Sequence, residues 1–175
     1  MGRTQAAIDS IDLGVIREII NVILRARDSG GIVYLAGNGG SASTASHYAV
    51  DLMKTSATDH KIPIRAISLT DNMAVVTALA NDIGYSQIFS EQVNWLIRPE
   101  DVLVAISASG NSSNIIEAVS IANSLGATTI GISGFGGGHL AEIADICLKI
   151  DSAEYGPVED AHLVIGHMLT FVLQR

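Results

Sequence analysis

The sequence predicts an α/β fold, a doubly wound five-stranded parallel sheet flanked by helices, with long helices at both ends of the chain. Three observations support this prediction. Five short apolar segments are separated by turn residues, helical patterns alternate with them, and two of the segments are followed directly by loops of glycine and small polar residues. Continuously apolar strands are typical of parallel sheets that are covered by helices on both faces.

Each element of the first half has a local signal. In the opening helix isoleucine and valine recur every three or four residues, and Ser29-Gly30-Gly31 end it. A polar loop over 55–63 closes with Pro63, Asn72 is a candidate cap for a short helix, and Pro99 stops the next one. In chain order the predicted elements are helix 4–28, strand 32–36, helix 42–54, strand 64–68, a short helix to about residue 80, and helix 86–98.

The second half continues the alternation. Gly126 ends a helix, a glycine-rich segment over 134–138 predicts a mobile connection, and Pro157 suits the first turn of the last helix. In chain order the predicted elements are strand 102–106, helix 113–124, strand 127–132, a short helix to about residue 143, strand 146–150 and helix 157–174.

Composition narrows the function classes. The 175 residues suit a single domain over 1–175, and 48% of them are apolar. The formal charge of −8, without a basic cluster, argues against nucleic acid as a direct partner. No apolar run approaches the roughly 20 residues of a membrane span, which argues against a membrane partner. Because the start of the chain also does not resemble a secretion signal, we expect a cytoplasmic protein.

The two polar loops predict a site for a phosphorylated ligand. They are Gly37-Asn38-Gly39-Gly40-Ser41 and Ser107-Ala108-Ser109-Gly110-Asn111-Ser112, each between a strand and a helix. Loop amides, hydroxyls and the helix N-terminus can converge there on anionic oxygens. The alternative is that these residues only make turns. Neither loop has the lysine of a P-loop, and Ala42 breaks the dinucleotide-binding pattern.

Two helices carry titratable side chains that suit catalysis or a metal. His47 and Asp51 are four residues apart and share a helix face, and Glu159 and His167 can address one groove from the last helix. Imidazole and carboxylate are zinc ligands, so the four could form one site. The alternative is a pair of solvated helix faces with a histidine at an interface. Spacing does not tell whether the two helices meet, within one chain or across two.

Three further histidines are expected to lie outside this site. His162 points away from His167 on the last helix, and His60 and His139 are expected to be exposed and uninvolved.

These motifs resemble the sugar isomerase (SIS) domain family and, within it, the bacterial phosphoheptose isomerases. The resemblance covers nearly the whole chain and implies a SIS-type, flavodoxin-like fold, a homotetramer with sites between subunits, and a sugar phosphate as the ligand. It implies catalytic roles for Asp51, Glu159 and His167, and a divalent metal, zinc in some members, held by His47, Asp51, Glu159 and His167. The implied substrate-binding residues are Asn38, Gly39, Gly40, Ser41, Asp82, Ser107, Ala108, Ser109 and Ser112.

Two positions depart from the family pattern. Asp51 stands where the family has glutamate, and Glu159 stands where it has glutamine. Two carboxylates at one site repel each other, and a bound cation removes that conflict, so the changes favour a metal site. We therefore predict an aldose–ketose isomerase, with sedoheptulose 7-phosphate as the substrate and an enediol intermediate. The alternative is a non-catalytic SIS module that binds a phosphosugar or a partner protein.

Overall fold

The computed structural model describes residues 2–57 and 62–174, and the order of its elements confirms the predicted fold class. The strands are β1 (Ile32–Gly37), β2 (Arg65–Ser68), β3 (Val102–Ser107), β4 (Thr128–Ser133) and β5 (Ile146–Lys149). The helices are α1 (Gly2–Asp9), α2 (Leu13–Ser29), α3 (Gly40–Ser56), α4 (Met73–Asp82), α5 (Ser90–Leu96), α6 (Ser113–Ser124), α7 (Leu140–Ile143) and α8 (Tyr155–Leu173). A short 3₁₀ turn (Tyr85–Gln87) precedes α5.

All described strand pairs are parallel, and the strand order is β2-β1-β3-β4-β5. The order reverses between β1 and β3, so their carboxyl ends lie side by side. In open parallel sheets ligands bind at such a switch point. Because β1 ends at Gly37 and β3 at Ser107, both polar loops start there.

Two apolar layers hold the helices on the sheet. The larger joins α1, α2, α3 and α8 to one face, and the smaller joins α4, α5, α6 and α7 to the other. β3 is buried along its whole length, as expected for a central parallel strand. Within residues 2–57 and 62–174, no helix combines the length and apolarity needed to cross a membrane.

Two predicted helices are divided in the structure. The segment 4–28 forms α1 and α2, because Asp12 caps a new helix: its Oδ1 accepts hydrogen bonds from the backbone N–H groups of Gly14 (2.7 Å) and Val15 (3.3 Å). The segment 86–98 forms the 3₁₀ turn and the shorter α5. The predicted cap Asn72 is confirmed, because its side chain accepts from the N–H of Val75. The other element bounds agree to within two residues.

Candidate active site

The first polar loop, residues 37–41, is called the glycine loop and makes a tight turn between β1 and α3. A Cβ on Gly37 would overlap the backbone of Ser41, and Gly39 has a φ of 54°, so both positions favour glycine. Ser41 is buried in the first turn of α3. Asn38 is half-buried at the tip of β1.

The second polar loop, residues 107–112 at the end of β3, is called the serine loop, and hydrogen bonds of its own side chains hold it closed. The hydroxyls of Ser107 and Ser112 lie 3.2 Å apart, and the Ser109 hydroxyl accepts from the backbone N–H of Asn111 at 3.2 Å. Ala108 is buried, so it offers a ligand its backbone rather than its side chain. The hydroxyls therefore lie beside the N-terminus of α6. Hydroxyl groups and the N–H groups of a helix N-terminus are suited to bind phosphate oxygens.

The glycine-rich segment over 134–138, predicted as a mobile connection, packs directly on the serine loop. A Cβ on Gly110 would overlap the Gly137 carbonyl, and the Leu140 N–H donates to the Gly110 carbonyl at 2.9 Å. The N–H of His139 donates to the Asn111 side chain at 2.9 Å. These contacts support the conformation of the serine loop.

The structure brings His47, Asp51 and His167 together in one protomer. The Nε2 atoms of His47 and His167 lie 3.1 Å apart, and Asp51 Oδ2 lies 3.2 Å from His47 Nε2 and 3.9 Å from His167 Nε2. One ligand atom from each residue falls within 4.8 Å of the others. We call these three side chains the His–Asp–His cluster. About half of each imidazole is exposed, so a substrate can reach it.

The geometry of the His–Asp–His cluster fits a zinc ion. Zinc bonds of about 2.0–2.1 Å in a tetrahedron separate the ligand atoms by about 3.3 Å. Two of the three separations, 3.1 and 3.2 Å, are close to this value. Two histidines and one carboxylate are also a donor set that catalytic zinc sites use, so these three side chains would suit such an ion.

The cluster forms because α3 and α8 cross at a glycine. A Cβ on Gly166 would overlap the Tyr48 ring, and the Tyr48 hydroxyl donates to the His162 carbonyl. Tyr48 and Gly166 are the chain neighbours of His47 and His167. The close approach of the two backbones therefore sets the separation of the two imidazoles.

Glu159 and Asp82 lie outside the His–Asp–His cluster. The Glu159 carboxylate rests against Gly40, where an added Cβ would be 2.9 Å from its Oε2. It thus faces the glycine loop and the N-terminus of α3. Asp82 is exposed at the end of α4 and accepts a hydrogen bond from Asn81 at 2.8 Å.

Two of the three remaining histidines, His162 and His139, lie in the part of the chain that the structure describes. His162 is buried on α8 and is not one of the three residues of the cluster. His139 is exposed, and its ring bonds Glu142 at 2.8 Å. His60 lies outside the described residues.

Comparison with known proteins identifies the family of this chain. The SIS domain family model matches residues 2–134. A phosphoheptose isomerase from Rhodospirillum rubrum is 40% identical over 154 residues, which are 88% of this chain and 81% of that protein. The chain belongs to the phosphoheptose isomerases of the SIS domain family.

Solved structures of phosphoheptose isomerases share the fold closely. The enzyme from Neisseria gonorrhoeae superposes with a TM-score of 0.90 at 30% identity, covering 98% of this chain and 91% of the other. The enzyme from Francisella tularensis also gives 0.90, at 32% identity, covering 97% and 91%. The resemblance inferred from the loop and helix motifs is confirmed.

Two residues beside the site were missed by sequence reasoning. Tyr85 donates a hydrogen bond from its hydroxyl to Asn38 Oδ1 at 2.8 Å, and Asn114 exchanges two hydrogen bonds with the Asn38 amide. Asn114 carried a weak signal, because it is a polar residue among apolar ones in the first turn of a helix. Tyr85 carried none, because an exposed tyrosine after a turn is common.

Proposed function

We propose that this chain is a zinc-dependent aldose–ketose isomerase that converts sedoheptulose 7-phosphate into an aldoheptose 7-phosphate. The observation that carries the proposal is the His–Asp–His cluster, formed in a chain of the phosphoheptose isomerase family. The serine loop supplies a phosphate site, and the open-chain sugar extends from it towards α3 and α8.

The phosphate end is held by neutral groups. The hydroxyls of Ser107, Ser109 and Ser112, the backbone at Ala108 and the N-terminus of α6 bind the phosphate oxygens. Asn38 and Ser41, with the backbone of Gly39 and Gly40, contact the sugar chain, and Asp82 contacts its hydroxyls. A chain with a net charge of −8 thereby binds an anion without a basic patch.

The carboxylates and His167 carry the proton chemistry. Glu159 lies next to the glycine loop and outside the cluster, so it removes the proton from the carbon beside the carbonyl. This leaves an enediolate, which becomes the enediol when its oxygen takes up a proton. Asp51, with His47 and His167, holds the cation. When bound, zinc supplies Lewis acidity to the substrate oxygens. His167 is also the candidate that returns a proton at the neighbouring carbon or oxygen.

His167 Nε2 is the ring nitrogen that faces His47 and Asp51, and it cannot bind a cation and carry a proton at the same time. The zinc content and the turnover of a His167 variant tell which of the two roles this nitrogen has. Purified protein should contain about one zinc per chain, and His167→Gln should lose both the zinc and the turnover. If His167→Gln keeps its zinc and loses only turnover, His167 is the proton carrier and not a ligand.

The central experiment is turnover of sedoheptulose 7-phosphate by wild type, Asp51→Asn and Glu159→Gln. Loss of a positioned acid, base or ligand should lower kcat by a factor on the order of 10²–10⁴. His139→Gln removes an imidazole that bonds only Glu142 among the side chains described, and should keep turnover within about twofold of wild type. Full activity in both carboxylate variants would refute this mechanism. A wild-type protein that binds the sugar phosphate without converting it would favour the non-catalytic module.

We further propose a cytoplasmic homotetramer formed by single-domain chains (residues 1–175), with sites at subunit interfaces. Exposed apolar side chains beside the cluster support the assembly: Val50 on α3 is 48% exposed and Phe171 on α8 is 53% exposed. Burial of such side chains against a second subunit would remove their apolar surface from water.

A further inference from the structure

The side chain of Asn38 is held by three hydrogen bonds. Its Oδ1 accepts from the Tyr85 hydroxyl at 2.8 Å and from Asn114 Nδ2 at 2.9 Å. Its Nδ2 donates to Asn114 Oδ1 at 2.8 Å. The two asparagine amides therefore form a head-to-tail pair, and the phenol bonds the same oxygen from the other side.

These bonds decide what Asn38 can offer a ligand. An amide oxygen has two lone pairs and an amide nitrogen has two N–H groups. Both lone pairs of Asn38 Oδ1 are used by its two donors, whereas the second N–H group of Nδ2 has no acceptor among residues 2–57 and 62–174. A phenol is a better donor than acceptor, so Tyr85 favours the orientation with the Asn38 oxygen facing it. Towards a ligand, Asn38 can therefore act only as a hydrogen-bond donor.

The amide pair also joins the two loops of the site. Asn38 follows β1, and Asn114 lies in the first turn of α6, two residues after Ser112. Asn114 is only 2% exposed, so its amide is fixed by packing as well as by Asn38. The orientation of Asn38 is therefore tied to the position of the serine loop, where the phosphate binds.

We propose that Tyr85 and Asn114 are positioning residues that hold Asn38 as a donor-only contact to an acceptor oxygen of the bound sugar phosphate. This proposal rests on the proposed function, because it concerns the same site. Neither residue needs to touch the ligand for this role. The predicted consequence is that Tyr85 affects the binding of the sugar phosphate only in protein that retains Asn38.

A double-mutant cycle with Tyr85→Phe and Asn38→Ala tests this dependence. The readouts are the Kd for sedoheptulose 7-phosphate from calorimetry, and KM and kcat. Tyr85→Phe alone should raise Kd and KM about five- to tenfold, the value of one hydrogen bond, and should change kcat less than twofold. In the Asn38→Ala background the same change should alter Kd less than twofold.

A second variant tests the donor-only character. Asn38→Asp keeps the size of the side chain and its acceptor for Tyr85, but puts an anionic oxygen in place of the amide nitrogen. It therefore loses the N–H that faces the ligand as well as the one that donates to Asn114, and Asn38→Ala loses the same two N–H groups. Because Asn38→Asp also adds the anionic oxygen, it should bind the sugar phosphate more weakly than Asn38→Ala does. Equal or tighter binding by Asn38→Asp would overturn the donor assignment.

The matched control is Tyr34→Phe. It also deletes a phenol hydroxyl, which bonds the Leu96 carbonyl at 3.5 Å away from both loops, and should leave Kd within twofold of wild type. A Tyr85→Phe effect that persists at full size in the Asn38→Ala background, or no Tyr85→Phe effect at all, would overturn the positioning role. If the wild-type protein binds the sugar phosphate without turning it over, the isomerase proposal is wrong. The Kd ratios of these variants would still test the positioning role of Tyr85.

Discussion

At the scale of single residues, His162 couples the stability of the fold to pH. It is 1% exposed on α8, and among the residues that the structure describes neither ring nitrogen has a hydrogen-bond partner. Burial lowers the pKa of His162 from 6.5 to about 4, and the neighbouring backbone of Ser133 opposes this only partly. The folded protein therefore keeps this imidazole neutral where the unfolded chain would protonate it.

Acid should consequently destabilise the protein through His162. Between pH 6.5 and 4 the unfolded state binds the extra proton, so the free energy of unfolding falls as the pH falls, by roughly 3 kcal/mol across the window. Denaturant unfolding of wild type and His162→Leu at several pH values measures this, and the leucine variant should lack that part of the slope. His139→Gln, which alters an exposed histidine, should keep it. Parallel curves for wild type and His162→Leu would contradict the assignment.

The lack of a side chain at Gly40 leaves room for the Glu159 carboxylate. A Cβ added to Gly40 would meet the Glu159 carboxylate at 2.9 Å, and that carboxylate is the free end of a flexible side chain. Gly40→Ala should therefore move Glu159 with little cost to stability, and lower kcat by up to about a hundredfold. Gly156→Ala, on α8 with nothing within 4 Å of its added Cβ, should keep both Tm and kcat. A Gly40→Ala variant with wild-type kcat would exclude Glu159 as the base.

At the scale of elements, the crossing of α3 and α8 builds the cluster. A Cβ on Gly166 would overlap the Tyr48 ring, which is itself 2% exposed and cannot move into solvent. Gly166→Ala should lower the free energy of unfolding by about 1–3 kcal/mol and weaken zinc binding, because the helices must separate. Thermal unfolding and zinc titration check this. Unchanged zinc affinity in a destabilised variant would show that the crossing does not set the ligand geometry.

The same crossing explains how far the sequence could predict this molecule. Strands such as 102–106 were predictable because burial on both faces leaves a continuous apolar run, a local signal. The pairing of His47 with His167 was implied by the family resemblance but not by residue spacing, because it depends on a contact between residues 120 positions apart. The break before α2 was missed although Asp12 is a good cap residue, because the apolar period of 4–28 continues across it.

At the scale of the whole molecule, the switch point between β1 and β3 organises the site. It places the glycine loop beside the serine loop, and the Asn38–Asn114 pair joins them. The cluster lies on the helix layer that packs on one face of the same sheet. The phosphate and the reacting carbons of one open-chain sugar would thus be held by different layers of a single fold.

The exposed apolar residues beside the cluster predict that assembly and activity are linked. Phe171→Asp places a charge on the surface we assign to a subunit contact and should reduce the solution mass from four times the 18.3 kDa of one chain. Phe171→Leu keeps the residue apolar and should preserve the assembly. Light scattering after gel filtration measures the mass, and turnover of the same fractions shows whether the sites need the neighbouring subunit. If a neighbouring subunit completes the site, dissociation removes it, so turnover should fall together with the mass. A fully active Phe171→Asp monomer would show that each chain carries a complete site.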